Sequence, residues 1–191
     1  MQWRTVAMVG VVLGSSAVLA GVDAAAVRFA LSLPVPIQHV VIVPTGEPVS
    51  AKSARTVELS QSIELPTGQS VDVWVVPKVG QPVRALSKYR PAPVKEPAGK
   101  SLVVNLDDHL AALRVMGSDL PRPSKIVLAP AFDRGPDNPG HQPIQAVPDY
   151  ANPLLVPAGQ YSLWVVPANG ARATLIENNL RLLAGRLTTL D

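Results

Sequence analysis

Apolar residues recur at alternate positions in short runs along most of this chain, and each run is cut off by proline, glycine or a polar cluster. Val27, Phe29, Leu31 and Leu33 alternate with Arg28, Ala30 and Ser32, the period-two pattern of a half-buried strand. Residues 39–43 form a more continuous apolar run, and Val57, Leu59, Ile63 and Leu65 alternate again before the turn Pro66-Thr67-Gly68-Gln69. Proline there presets its own φ and glycine admits a positive φ, so a strand over 71–76 is predicted to fold back antiparallel. Further strands are predicted at 83–86 and 101–105, and a strand about every ten residues is the rhythm of a β-sandwich. One stretch reads differently: Asp107 suits an N-cap, Leu106, Leu110 and Leu113 share a helical face, and Gly117 is a stop, which predicts a short helix.

The second half repeats the first. LPTGQSVDVWVVPKVGQPVRAL at 65–86 returns as VPAGQYSLWVVPANGARATL at 156–175, with Trp74 and Trp164 in register 90 positions apart. Ala184-Gly185-Arg186 answers Ala98-Gly99-Lys100, each before a strand ending in Asn105 or Asp191. Residues 125–129 restart the sheet as the run at 39–43 does, and the longest loop, 131–153, follows. This predicts an all-β fold: two tandem small antiparallel β-sandwich domains, 27–107 and 124–191, joined by the helix and linker at 108–123.

Residues 1–26 stand apart. An almost uninterrupted apolar run from 5 to 22 spans roughly 27 Å as a helix, near the hydrocarbon thickness of a bilayer. We expect a transmembrane anchor with Arg4 on the cytoplasmic side and the bulk of the chain periplasmic, a single-pass inner-membrane topology. A cleaved signal peptide is the alternative, since Ala24 and Ala26 have the small-residue spacing that a signal peptidase reads. Gly10, Gly14, Ala17 and Gly21 fall on one face of such a helix, the small-residue surface that lets another transmembrane helix approach.

Composition narrows the chemistry. No cysteine is present, which removes disulfides and thiolate sites, so burial and hydrogen bonds alone hold the fold. The net charge of +3 is scattered without a basic run, and aromatics make up only 4%, so no nucleic-acid partner is expected. There is no G-x-S-x-G, H-E-x-x-H or phosphate loop. Asp108 and His109, adjacent in sequence, point apart on a helix, and His39 stands alone. No enzyme activity and no cofactor or metal is expected. Asp133, Asp137 and Asn138 in the long loop raise calcium, but without the alternating acids and terminal glutamate of an EF-hand they read as solvated or partner-contacting residues. Trp74 and Trp164 alternate out of phase with the valines and leucines beside them. They are expected either within the covered interior or, on the less apolar face, as contacts to a partner or a sugar ring.

Pro157-Ala-Gly-Gln-Tyr161, followed by a strand and then Ala184-Gly185-Arg186 with Thr188 and Thr189, resembles the PEGA and prealbumin-like carboxypeptidase-regulatory β-sandwich modules. In the first copy Ser70 and Val71 stand at the tyrosine position. The resemblance implies an extracytoplasmic accessory role without catalysis. Together these readings predict a noncatalytic, membrane-anchored structural subunit that stabilises a larger membrane-protein complex. A bacterial photosynthetic or respiratory assembly is one such host, though no residue selects it. An exported carbohydrate- or envelope-binding module is the alternative.

Overall fold

The computed structural model describes residues 24–92, 101–116, 124–138, 140–141, 143–147 and 152–191. Among them the fold is all-β, with a single 3-10 turn at Leu106–Asp108 and no α-helix. Strands β1 (Ala24–Ala30), β2 (Ile37–Pro44), β3 (Arg55–Val57), β4 (Ser62–Pro66), β5 (Val71–Pro77), β6 (Val83–Tyr89) and β7 (Leu102–Asn105) form the first set. The second set is β8 (Leu110–Val115), β9 (Ser124–Pro130), β10 (Gln145–Val147), β11 (Leu154–Pro157), β12 (Gly159–Pro167), β13 (Thr174–Leu182) and β14 (Leu187–Leu190).

The sheets repeat strand for strand. Orders β4-β1-β7 and β3-β2-β5-β6 in the first set become β11-β8-β14 and β10-β9-β12-β13 in the second. Pairing is antiparallel except at β1 with β7 and β8 with β14, which run parallel and close each three-stranded sheet. Even irregularities are copied: β6 and β13 bulge against β5 and β12, and the bulges place Lys88 at φ 55° and Asn179 at φ 65°.

Alternation explains the cores. Val71, Val73 and Val75 of β5 meet Ala25, Val27 and Phe29 of β1 in one buried cluster. Tyr161, Leu163 and Val165 of β12 meet Ala111, Leu113 and Val115 of β8 in another. Tyr161 gives the Pro-Ala-Gly-Gln-Tyr motif its physical content: the ring lies in the core while its hydroxyl donates to the Pro157 carbonyl. Gly159 leaves room for it, since a Cβ there would stand 3.2 Å from that hydroxyl. Burial pushes the phenol up to about 12.

The two strand sets share a joint. Leu110, Ala112 and Leu155, on the far side of β8 and β11 from their own core, are fully buried in the first cluster, where β6 packs against β11. Gln145 stitches this joint: its Oε1 accepts from the Gln81 N–H at 2.9 Å and its Nε2 donates to the Gln81 and Leu155 carbonyls. Gly80 permits the approach, because a Cβ there would lie 2.9 Å from Gln145 Oε1. Asp107 adds a second tie, accepting from the Ser32 and Leu33 backbone N–H groups.

The predicted helix at 107–113 is corrected. Only Leu106–Asp108 coils, and Leu110–Val115 is strand β8, the centre of its sheet. Leu110 and Ala112 enter one core while Ala111 and Leu113 enter the other, so apolar residues are needed on both faces. A strand buried on both sides loses its period-two signature and reads like a helix. The loop at 131–153 is also shorter than expected, interrupted by β10.

Candidate functional site

The tryptophans lie on the outer face of the four-stranded sheets, each half-buried and in neither core cluster. On that face each stands beside a buried apolar partner on the next strand: Trp74 pairs with Val41 of β2 and Trp164 with Val127 of β9. Each indole Nε1 is buried without a protein hydrogen-bond partner. The expectation that the indoles leave the valine face is met, and what covers them differs between the copies.

Over Trp74 lies Arg84, its guanidinium carbon 5.5 Å from the ring centroid and its Nη1 3.5 Å from Asp72 Oδ2. Asp72 is 2% exposed and accepts from the Lys88 and Gly46 N–H groups. Burial by itself raises the Asp72 carboxyl. The Lys88 and Gly46 hydrogen bonds and the Arg84 charge outweigh it and hold the group below the ordinary carboxylate value. In the second copy Ser162 replaces Asp72 and bonds the Asn178 side chain at 2.9 Å, a neutral fastening of the same bulge.

Over Trp164 lies the β9–β10 loop. Gly135 sits on the ring so closely that a Cβ would be 2.6 Å from Trp164 Cη2. Asp133 braces this contact, accepting from the Gly135 N–H at 2.7 Å and from His141 Nδ1 at 2.7 Å. The His141 hydrogen bond is the main reason the Asp133 carboxyl is held below its ordinary value, with Gly135 adding to it against the opposing effect of burial. His141 Nε2 is buried without a partner. Asn138 Nδ2 donates to the Arg134 carbonyl, and Asp137 accepts from the Ala173 N–H and lies 3.6 Å from Arg172 Nε. The three residues considered for calcium are therefore engaged separately, and among the described residues no group of three potential ligands is assembled.

The loop's first turn carries the feature that sequence reasoning missed. In both copies the residue after Pro44-Thr45 or Pro130-Ala131 adopts a positive φ, and the following N–H (Glu47 or Asp133) bonds back to the proline carbonyl. In the first copy that residue is Gly46 at φ 91°. In the second it is Phe132 at φ 66°, with 73% of its surface exposed. A bulky residue in this region is strained by about 1–2 kcal/mol, and the same turn is built without strain 86 positions earlier. Phe132 borders a cleft of about 350 Å³ with Asp133, Arg134, Asn138 and His141. Aligning the copies by their strand-ending prolines, rather than by their tryptophans, is the sequence signal that finds the Gly46-to-Phe132 exchange.

Gly10, Gly14, Ala17 and Gly21 lie outside the described residues. Among the described residues no helix is long and apolar enough to cross a membrane. Comparison with protein-family models, curated proteins and solved structures returns no match to this chain.

Proposed function

We propose that this chain is a noncatalytic, membrane-anchored extracytoplasmic subunit whose two tandem β-sandwiches help hold a larger membrane-protein complex together, with the β9–β10 loop as its partner contact. The observation that carries this reading is Phe132, an exposed aromatic at a backbone position where the sister turn has glycine. Strain and an exposed ring both disfavour folding, and residues held against such costs cluster at functional sites. A rigidly presented aromatic is also the residue type that anchors protein interfaces. Gly135 on Trp164 and Asp133 on His141 hold the loop that presents it, which lowers the ordering cost of binding. The apolar leader supplies the anchor, and the PEGA-like motif fits an accessory role.

A photo-crosslinking residue at position 132, introduced in native membranes, tests the contact. A discrete crosslinked product at 132, absent with the same residue at position 46, is the expected result. Equal or no crosslinking at both positions would remove the basis for the proposal.

A second reading, a carbohydrate- or envelope-binding module, is favoured by the cleft beside Phe132, where an aromatic ring adjoins Arg134, Asn138 and Asp133. Titration calorimetry of the detergent-solubilised chain with envelope-derived oligosaccharides distinguishes it: heat of binding lost in Phe132→Ala supports this reading over the scaffold.

A further inference from the structure

The joint between the strand sets has one half on each. The first half is β6 with the turn before it: Val83, Ala85 and Leu86, with the Gln81 backbone. The second is the outer side of β8 and β11: Leu110, Ala112 and Leu155, with Gln145. Because the chain is a repeat, each half exists once more, on a face that no other described strand covers. The pairing registers place Thr174, Ile176 and Glu177 of β13 where β6 has Val83, Ala85 and Leu86. In the turn before them the positive-φ glycines Gly80 and Gly170 correspond, which puts Ala171 after the one where Gln81 follows the other. They place Ala24, Ala26 and Glu64 where β8 and β11 have Leu110, Ala112 and Leu155, and Arg55 where Gln145 stands.

We infer that these free faces are the two halves of the same repeat joint, and that Glu64, Arg55, Glu177 and Asn169 close them to a second copy of this chain. Geometrically the faces still correspond. A cleft of about 380 Å³ opens beside Arg55 and Glu64 at the near end, and Ile176 remains 43% exposed at the far end. A head-to-tail contact of this kind does not close on itself and would grow into a filament. What stops it is chemistry. Glu64 and Glu177 replace two buried leucines, so a second copy would bury two carboxylates and the Arg55 guanidinium in the joint, unfavourable by desolvation and, between the two glutamates, by like charge.

The hydrogen-bond stitch is disabled as well. Gln145 both accepts and donates at Gln81, whereas the guanidinium of Arg55 only donates and cannot receive an N–H. The equivalent N–H, that of Ala171, is already taken by Asn169 Oδ1 at 3.0 Å. Polar outer faces on terminal units are what keep repeat proteins soluble at a fixed length. Here they make each outer face a poor partner for a second copy.

A charge-exchange cycle in the full chain tests this, with mass measured by light scattering in one detergent over a range of concentrations. The leader is common to every variant, so any association through it is a constant background. Glu64→Lys and Glu177→Lys each set a lysine against a glutamate across the joint. Each is expected to form head-to-tail oligomers at concentrations at least about tenfold below any seen for the parent chain. The double exchange sets lysine against lysine and is expected to behave as the parent. Glu64→Leu with Glu177→Leu restores the apolar joint and is expected to associate most strongly. Both glutamates are exposed, so each variant should keep its sheet circular dichroism spectrum. Single exchanges that remain like the parent, or a double exchange that associates as the singles do, would overturn the inference.

Discussion

Gly135 and Gly46 both have a positive φ, at 90° and 91°, yet they are held for different reasons. Nothing lies within 4 Å of a Cβ built at Gly46, whereas one built at Gly135 would overlap the Trp164 ring at 2.6 Å. Gly46→Ala is expected to cost about 1–2 kcal/mol, the backbone strain alone. Gly135→Ala adds a displaced indole, about 1–3 kcal/mol more. Urea denaturation measures the difference, and equal costs would show that the loop does not rest on Trp164. Acid should loosen both outer faces. Asp72 and Asp133 have carboxyls held below their ordinary value of 3.8, so their contribution to stability is full above that pH. It is lost as pH falls through the depressed folded values. Asp72→Asn should flatten the fall in stability below about pH 4, since a neutral amide has no such titration. An unchanged acid limb contradicts the assignment. Alternation alone placed the tryptophans on the face away from the valines. Gln145 was not legible in the same way: it sits in a proline-rich stretch without periodicity, and its burial depends on Gln81, 64 residues away.

At the scale of elements, strands with one less apolar face could be read from sequence and the strand apolar on both faces could not. β5 and β12 announce themselves because Asp72 and Ser162 interrupt the apolar run. β8 has apolar side chains on both faces because it lies between two cores, and its four residues from Leu110 to Leu113 imitate a helix. The parallel pairing of β7 with β1 was beyond reach, since the partners are about seventy-five residues apart and no local turn encodes their contact. β1 also bears on the leader. It begins at Ala24, and Ala25 is fully buried opposite Leu65. A signal peptidase cutting after Ala26 would strip that residue from the core. N-terminal sequencing of the chain isolated from its native source is therefore expected to retain Ala25, and a mature chain beginning at Val27 would contradict this reading of the first strand.

At the scale of the whole molecule, the joint makes the described strands one cooperative body. Reporting on each strand set through Trp74 or Trp164, with the other changed to phenylalanine, should give coincident unfolding midpoints. Gln145→Ala leaves the Gln81 N–H and carbonyl and the Leu155 carbonyl without their partner. It should lower stability by about 1–3 kcal/mol and separate the two midpoints. Coincident midpoints in that variant would mean that the apolar part of the joint suffices. On this single body the two copies differ at one turn, where Gly46 in the first is answered by the exposed Phe132 of the second, the proposed partner contact. Phe132→Gly, made in the full chain and recovered from native membranes in mild detergent, tests that claim directly. Relief of the backbone strain should raise stability by about 0.5–1 kcal/mol, net of the flexibility that glycine adds to the unfolded chain. On the proposed function the parent chain should copurify with a defined membrane complex, and the same variant should lose it. A complex retained at full yield, or a variant less stable than the parent, would contradict it.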